Sequence, residues 1–203
     1  MTDVPAATAK MTVETFVRRY EEKGPFEILD GQIVPMSPPG FTHSLIAKRL
    51  FMMFLEHEGA EIGEAFMETP FIKSDFEGAN WVKGSRVPDV MFVSAKKMAA
   101  FRAAKPEPGN DPLSVVPELA VEIVSPNDRY TAILHKVSLY LDDGVRQVWL
   151  IDPGERTVTV HVAGSKQQAI LRPGDTLNGG ETVPGLEIPV ATLFERDTAQ
   201  DNQ

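Results

Sequence analysis

Two acidic residues lie inside otherwise apolar segments of this chain, where charged side chains are unusual. Asp89 follows Pro88 within VPDVMFV, and Glu122 lies within LAVEIV. A carboxylate buried alone is costly, so it is normally paired, hydrogen-bonded or bound to a cation. Two carboxylates in neighbouring strands repel each other, and such hard oxygen ligands suit Mg²⁺ or Mn²⁺. The alternative is that each acid lies near a strand end, where it is solvated or ion-paired.

Four more residues lie where they could join these acids. Lys136 falls at the edge of a helical apolar stripe, on the side of Tyr140, and could reach the strand end near Glu122. The alternatives are a lysine whose stem covers apolar surface and a tyrosine of the core. His43 lies on the apolar side of a predicted helix and could equally be a buried, hydrogen-bonded histidine. Glu27 precedes the Asp30-Gly31 turn, and the simpler alternative for it is a cross-strand pair.

The segment Pro117–Pro153 is the unit that must position these residues. An apolar, β-branched run predicts a buried strand over 119–124, and Gln147–Ile151 predicts a second one. Between them Ser125-Pro126-Asn127-Asp128 offers helix N-caps, and Gly144 suits a helix C-terminus. The helix between is predicted from its apolar stripe, which consists of Tyr130, Ile133, Leu134, Val137, Tyr140 and Leu141.

The remaining chain predicts a mixed α/β (α+β) fold in which helix, three strands, helix and strand follow one another around a central sheet. Thr12 is a plausible N-cap for a short helix, and Asp30-Gly31 predicts a hairpin. Further segments are predicted as a helix over 42–57, strands over 63–72, 87–93 and 157–162, a loop or hairpin tip over 75–84, a short helix and a loop over 95–116, and β-structure with turns over 167–194.

Composition indicates a globular chain with a sizeable core. The 203 residues predict one domain over 11–194, between a disordered leader over 1–10 and a flexible tail over 195–203. A net charge of −9 argues against a generic nucleic-acid-binding surface. There are no cysteines, so disulfides and thiolate metal sites are excluded. No apolar run reaches membrane-spanning length and no secretory signal is recognisable, so we expect no membrane partner and a cytoplasmic location.

Three segments together resemble the Uma-family restriction endonucleases of the PD-(D/E)xK nuclease superfamily. They are FEILDGQIVPMSPPGFTH, VPDVMFV and PELAVEIVSPNDRYTAILHKVSLYLDDGVRQVWLIDP. The resemblance covers about residues 12–194, and 117–153 is its most specific part. It implies a restriction-endonuclease-like fold, a central mixed sheet flanked by helices. An N-terminal hairpin and a C-terminal β segment would be additions to that fold.

The resemblance also implies roles for individual residues. Pro88-Asp89 would be the PD element and Glu122 the acid of the second element, with the backbone carbonyl of Ile123 as a third metal ligand. The superfamily usually has its lysine two residues after that acid, where this chain has Val124. In members with the altered pattern the lysine comes from the next helix, where Lys136 lies.

Further residues match the family in supporting positions. Tyr140 completes a K-x-x-x-Y spacing with Lys136, and His43 matches a histidine often found after the MSP turn. Glu27 matches the acid before the Asp-Gly turn, whereas Gln32 stands where an acid is more usual.

The activity that this resemblance implies is Mg²⁺- or Mn²⁺-dependent hydrolysis of DNA. Asp89, Glu122, Lys136 and His43 would be its catalytic residues, and the protein would act as a homodimer because duplex cleavage needs two scissions. One alternative is a non-catalytic nucleic-acid-binding or protein-interaction module that keeps the fold, which the acidic surface and Val124 favour. A hydrolase acting on a small phosphoester is a third reading of the same acids.

Overall fold

The structure, a computed structural model, describes residues 11–75, 81–126 and 128–195, without the side chains of 74 and 75. The leader expected over 1–10 and the tail expected after Glu195 lie outside the described residues. The helices are α1 (Val13–Lys23), α2 (Phe41–Leu55), α3 (Ala95–Ala104), α4 (Tyr130–Asp143) and α5 (Val190–Leu193). None of the helices described in these ranges has the length and apolar character needed to cross a bilayer.

Strands in the described residues form three sheets. The strands are β1 (Met11–Thr12), β2 (Phe26–Leu29), β3 (Gln32–Pro35), β4 (Gly63–Met67), β5 (Phe71–Asp75), β6 (Trp81–Arg86), β7 (Val90–Ser94), β8 (Leu119–Ile123), β9 (Gln147–Asp152), β10 (Thr157–Val162), β11 (Ala169–Leu171), β12 (Thr176–Asn178) and β13 (Glu187–Pro189).

The larger sheet has six strands in the order β11-β10-β9-β8-β7-β4. Strands β4, β7 and β8 are antiparallel, whereas β9 runs parallel to β8 after the crossover through α4. Helix α2 packs with one face of this sheet through residues such as Leu50 and Phe54, and α4 packs with the other through Val137 and Tyr140. The expected order of helix, three strands, helix and strand is therefore confirmed.

The smaller sheet is built around the predicted hairpin and has the order β1-β6-β2-β3, with β5 on β6. Asp30 and Gly31 have φ values of 47° and 75°, and two positive φ angles match the type I′ turn that joins β2 to β3. Thr12 caps α1 as expected, because its hydroxyl accepts a hydrogen bond from the amide of Thr15. The predicted pairing of β10 with β9 is also confirmed.

Three local predictions were wrong. The strand predicted over 63–72 is two strands in different sheets, broken at Glu68, which has a φ of 47°, and Pro70, which has no amide hydrogen. The strand predicted over 87–93 begins at Val90, because Pro88 cannot donate to a ladder. Within the described residues no side chain caps α4; Asp128 instead accepts a hydrogen bond from the amide of Ser125.

In the region predicted as a loop or hairpin tip over 75–84, the described strand β6 already begins at Trp81 and pairs with β5, which ends at Asp75. Residues 76–80 lie outside the described residues. Gly144 ends α4 as expected: its φ of 104° lies in the left-handed region, and its amide bonds to the last turn of the helix.

A buried ion pair joins the two sheets through α4. The side chains of Arg86 and Asp143 are 5% and 9% exposed, and Arg86 Nη2 lies 3.0 Å from Asp143 Oδ2. Lys73 Nζ lies 3.1 Å from the other oxygen of Asp143. Arg86 also donates hydrogen bonds to the carbonyls of Ile28, at 2.5 Å, and of Ser85, at 3.2 Å. Arg86 thus connects β2, the end of β6 and the end of α4.

We expect Asp143→Ala to lower the free energy of unfolding by about 3–5 kcal/mol, because it leaves the Arg86 guanidinium buried without its partner charge. Urea unfolding measures this loss. In the double variant Arg86→Met with Asp143→Leu, apolar packing replaces the pair and most of the stability should return.

The control is Glu64→Ala, which breaks the ion pair between Glu64 and Arg102. The side chain of Arg102 in this pair is 60% exposed. Solvent screens such a pair, so this variant should change stability little. Equal losses in Asp143→Ala and Glu64→Ala would contradict the role given to the buried pair.

Candidate active site

Several elements end at the same edge of the larger sheet, the one where the central strand β8 ends and β7 begins. Helix α4 follows β8 directly and returns antiparallel to it, so α4 begins where β8 ends, at Ile123. Val90, at the start of β7, pairs with Val121 near that end. The first turn of α2 reaches the same edge, since His43 contacts Asp89 there. Residues from both faces of the sheet can therefore meet at this edge.

Asp89 is held at this edge by the backbone and by a histidine. Its Oδ2 accepts a hydrogen bond from the amide of Ile123 at 2.6 Å, and Nε2 of His43 lies 3.0 Å from the same oxygen. The side chains of Asp89 and His43 are 12% and 10% exposed. The acid lies just before β7 and directly after Pro88, which cannot donate to the ladder, while the amide of Asp89 donates to the carbonyl of Val121. Both described contacts use Oδ2.

Glu122 meets two residues of α4. Nζ of Lys136 lies 2.9 Å from Oε2 of Glu122, and the hydroxyl of Tyr140 donates a hydrogen bond to Oε1. Lys136 and Tyr140 are four residues apart, so one helix face presents both to the sheet. Glu122 lies on the same sheet face as Ala120, which packs with α4. The one acid of β8 therefore faces the one lysine of α4.

Glu27 adds a third carboxylate from the smaller sheet. Its Oε1 accepts a hydrogen bond from the amide of Val87 at 2.8 Å and lies 3.0 Å from Nζ of Lys136. The side chain of Glu27 is 6% exposed and that of Lys136 is 16% exposed. Lys136 therefore bridges two acids, Glu27 and Glu122, that come from different sheets.

The site has more negative charge than Lys136 can neutralise. Burial raises the pKa of Glu122 to about 8; Lys136 opposes this shift, while the charges of Asp89 and Glu27 add to it. Burial lowers the pKa of Lys136, but the charges of Glu122 and Glu27 outweigh it and the net direction is upward. Lys136 is therefore held as an ammonium, and the pKa of Glu122 is raised despite this neighbouring positive charge.

The charges of the same acids shift the pKa values of His43 and Tyr140. For His43, burial lowers the pKa, but the hydrogen bond and charge of Asp89, together with more distant acids, raise it above its ordinary value. The pKa of the Tyr140 hydroxyl is raised well above its ordinary value, first by burial and then by the charge of Glu122. Tyr140 therefore remains a hydrogen-bond donor to the acid.

The donor set is chemically suited to a divalent cation, because three carboxylates supply hard oxygen ligands and their repulsion is relieved by a single ammonium. In the described ranges, no group of three or more His, Cys, Asp or Glu residues is arranged to hold a metal ion. The ligand set expected from the sequence contains only two side chains, Asp89 and Glu122, with one carbonyl. Mg²⁺ commonly binds through one or two carboxylates and keeps several waters, so this set fits.

Sequence reasoning missed the partners that orient these acids. The amides of Val87 and Ile123 hold Glu27 and Asp89, and backbone donors leave no signature in residue types. Glu68, which lies just after β4, adds its negative charge to the field at His43. Gln32, the other family position, lies exposed on β3 opposite Leu29.

The raised pKa of Glu122 predicts a pH dependence of stability in metal-free protein. The folded pKa, about 8, lies above the ordinary value of 4.5, so between these values the folded state binds more protons than the unfolded state. The free energy of unfolding must then fall as pH rises through this window, by up to about 1.4 kcal/mol per pH unit.

Glu122→Gln removes the titration, so this variant should lose less stability than wild type between pH 5 and pH 8 (roughly the window set by these pKa values). Urea unfolding in EDTA across this range measures the difference. His43 has a raised pKa and contributes in the same direction; the charge of Glu122 is one cause of that shift, so Glu122→Gln reduces the contribution of His43 as well. Parallel curves for the two proteins would show that Glu122 is ionised in the folded state.

This chain is similar to known proteins in sequence and in fold. Residues 13–191 match the Uma2 family, whose description is "Putative restriction endonuclease". The fold is similar to the crystal structure of a protein from Anabaena variabilis described as a putative nuclease belonging to DUF820. The TM-score is 0.71 at 22% identity, over 91% of this chain and 97% of that chain.

At that identity the likeness to the Anabaena protein shows the fold alone, and it confirms the restriction-endonuclease-like fold expected from the sequence. No curated protein matches this chain. The match to the family covers most of the sequence. It includes every element that contributes to the acidic edge, by which we mean Glu27, Asp89, Glu122 and the lysine between two of them, Lys136. The chain belongs to the Uma2 family of putative restriction endonucleases.

Proposed function

We propose that this protein is a divalent-metal-dependent endonuclease that hydrolyses phosphodiester bonds in DNA. The observation that carries the proposal is the meeting of Asp89, Glu122 and Lys136 at one edge of a nuclease-like fold. The family description supports a nuclease, and the acidic edge supplies a place where phosphodiester chemistry could occur.

Asp89 and Glu122, with the carbonyl of Ile123, would hold Mg²⁺ or Mn²⁺. A bound cation of this kind lowers the pKa of a coordinated water and offsets charge on the scissile phosphate. For this function Glu122 must be ionised, which the nearby Lys136 ammonium favours. His43 keeps Asp89 oriented through Nε2, and Tyr140 keeps Glu122 oriented through its hydroxyl.

Lys136 would act as the charge stabiliser of the reaction. Its ammonium lies 2.9 Å from Glu122, so it can orient a water or neutralise negative charge that develops on the phosphate. Val124 stands where the wider superfamily has its lysine, and it follows Glu122 by two residues. The ammonium supplied by α4 would replace that strand lysine. Glu27 would share Lys136 and so limit where its ammonium can move.

One observation favours a second candidate, a non-catalytic nucleic-acid-binding or interaction module. The ammonium of Lys136 already bridges Glu27 and Glu122, so part of the acidic charge is neutralised within the protein itself. A module of this kind would keep the fold without needing a cation. Metal binding therefore distinguishes the two candidates.

We expect Mg²⁺ or Mn²⁺ to raise the melting temperature, because a cation that binds only the folded state stabilises it. Asp89→Asn should remove the rise, since it deletes a ligand charge while its amide oxygen can still accept from the Ile123 amide. The matched control Glu64→Gln changes a surface acid and should keep the full rise. An equal rise in Asp89→Asn would place the cation elsewhere, and no rise in wild type would favour the non-catalytic module.

We expect Lys136→Ala to reduce DNA cleavage by about 10²–10³-fold, the usual effect of removing one stabiliser of transition-state charge. Metal binding should persist because both carboxylates remain. Single-turnover cleavage rates and metal titrations on the same preparations measure the two effects. Glu122→Ala should lose both properties.

Moving the lysine from α4 to the position of Val124 tests the same role of Lys136. In the double variant Val124→Lys with Lys136→Ala, the amine returns to the strand position of the wider superfamily, and partial recovery of cleavage is expected. The control is Val124→Lys alone. Wild-type cleavage by the Lys136→Ala single variant would end the catalytic role proposed for this residue.

We also propose that the protein acts in the cytoplasm, as a two-fold homodimer. Two sites related by a dyad match the two strands of a duplex, and two-fold dimers are the commonest closed assembly. Light scattering should give twice the mass of the 22.3 kDa chain. A monomer across micromolar concentrations would contradict this assembly.

A further inference from the structure

A cavity of about 360 Å³ lies between helix α1 and the loop that follows α3. Phe16 and Tyr20 of α1 give it an aromatic wall, with ring centroids 5.5 Å apart, and Asn110 lines it from the loop. The loop is fastened to β5, because the carbonyl of Leu113 accepts a hydrogen bond from the amide of Ile72 at 2.9 Å. The volume lies in the range of pockets that bind small molecules or parts of larger ones.

A second wall of the cavity adjoins Asp89. Beyond the last pair of β4 with β7, the amide of Glu68 donates a hydrogen bond to the carbonyl of Asp89 at 3.2 Å, so these two residues lie opposite each other. The next two residues, Thr69 and Pro70, line the cavity. This wall therefore begins beside a residue that we propose to bind the cation.

The same wall leads to Glu122. Phe71 follows directly after it, and the ring of Phe71 lies 6.1 Å from that of Tyr140. The hydroxyl of Tyr140 donates a hydrogen bond to Glu122. The short segment that forms this wall is therefore connected to Asp89 at one end and to Glu122 at the other.

Helix α1 brings the cavity close to the third acid, Glu27. The ring of Tyr20 lies 5.2 Å from that of Phe26, the residue before Glu27. Burial raises the pKa of the Tyr20 hydroxyl, and the charges of Glu27 and Glu68 raise it further. Tyr20 therefore stays a neutral hydrogen-bond donor, and the cavity adjoins all three carboxylates of the acidic edge.

The lining of the cavity suits a flat, neutral group. Its charged side chains are Glu21 and Asp111, and Asp111 is already paired with Lys105 at 2.6 Å. A phosphate would find no counter-charge on these walls. A nucleobase, in contrast, packs on aromatic surface, and the amide group of Asn110 offers a donor and an acceptor to a base edge. Its contact with Glu21 is long, at 3.4 Å.

We propose that this cavity receives one nucleobase of the substrate, from a nucleotide next to the bond that is cut. In a duplex the neighbouring bases cover both faces of each base, so the base that enters must be unpaired or turned out of the helix. Turning a base out costs least at a mismatch or in a single strand. The substrate class is therefore DNA with such a base beside the cut. This inference rests on the proposed nuclease function and names the feature of the substrate that is recognised.

Cleavage of oligonucleotides that each lack one base tests the inference. Single strands of one sequence, with an abasic position moved stepwise across the main cut, are incubated with wild-type protein and Mn²⁺. We expect one position to be sensitive, where loss of the base slows single-turnover cleavage by about 5- to 150-fold, the range for loss of one stacked base. Equal rates for every abasic position and for the intact strand would overturn the inference.

Variants of the cavity wall should remove this sensitivity. Tyr20→Leu keeps apolar bulk without the ring, so it should cut the intact strand as slowly as the sensitive abasic one, whereas Tyr20→Phe should keep the wild-type profile. Asn110→Ala changes an exposed loop residue, so its folding is not at risk; it should slow only the intact strand, by about 2- to 10-fold for one lost hydrogen bond.

The matched control is Phe41→Leu, which removes an aromatic ring that is 83% exposed on α2 and does not line the cavity. This variant should keep the wild-type profile. An unchanged difference between intact and abasic strands in both Tyr20→Leu and Asn110→Ala would also overturn the inference.

Binding separates failure of this inference from failure of the proposed function. The fluorescent base 2-aminopurine, which reports changes in stacking, is placed at each position of the strand and titrated with Asp89→Asn and with Asp89→Asn plus Tyr20→Leu. A fluorescence change that needs Tyr20, without cutting by the wild type, overturns the nuclease and leaves a base-binding cavity. Cutting with an even abasic profile and no such change overturns the cavity and leaves the nuclease intact.

Discussion

The ammonium of Lys136, shared between Glu27 and Glu122, is the interaction on which the acidic edge depends. The two acids come from different sheets, and both are largely buried, so each would be strongly destabilising without a counter-charge. Their attraction to one lysine draws β2, β8 and α4 together at a single point. The charge is balanced only in part, since Asp89 lies in the same field and the pKa of Glu122 is raised to about 8.

The surrounding structure holds this cluster in place with contacts that do not add negative charge. Backbone amides of Val87 and Ile123 fix one oxygen each of Glu27 and Asp89. The buried pair of Arg86 and Asp143 ties the end of α4 to the smaller sheet, about two turns beyond Lys136. A helix that is fixed at both of these points has little freedom to carry the lysine away from the acids. Rigid placement of this kind is what a charge-stabilising group requires.

The central part of the fold was predictable because its signals are local. An apolar strand with one acid, a helical stripe and a left-handed glycine are each visible within a few residues, and they specify β8, α4 and the end of α4. The association of Asp89, Glu122 and Lys136 was also anticipated, through the superfamily pattern and the position of Lys136 on its helix. His43 was placed on the correct face by the same periodicity.

What could not be predicted depends on contacts between distant segments. Glu27 reaches Lys136 across more than a hundred residues of sequence, and no local pattern reports that approach. The split of 63–72 into β4 and β5 follows partly from the positive φ of Glu68, which residue type does not indicate, whereas the second cause, Pro70, is visible in the sequence. Arg86 and Asp143 each look like ordinary surface charges in sequence, because their burial arises only when the two sheets pack around α4.

The central claim is that the acidic edge is a metal-dependent nuclease site, and incubation with supercoiled plasmid tests it most directly. Wild-type protein and Asp89→Asn, purified identically, would be compared with Mn²⁺ and with EDTA on plasmid and on single-stranded circular DNA. The account predicts that the wild type cuts DNA with Mn²⁺ and not with EDTA, and that Asp89→Asn fails in both. Equal cutting by the two proteins, or no cutting by the wild type with any divalent metal, would contradict it.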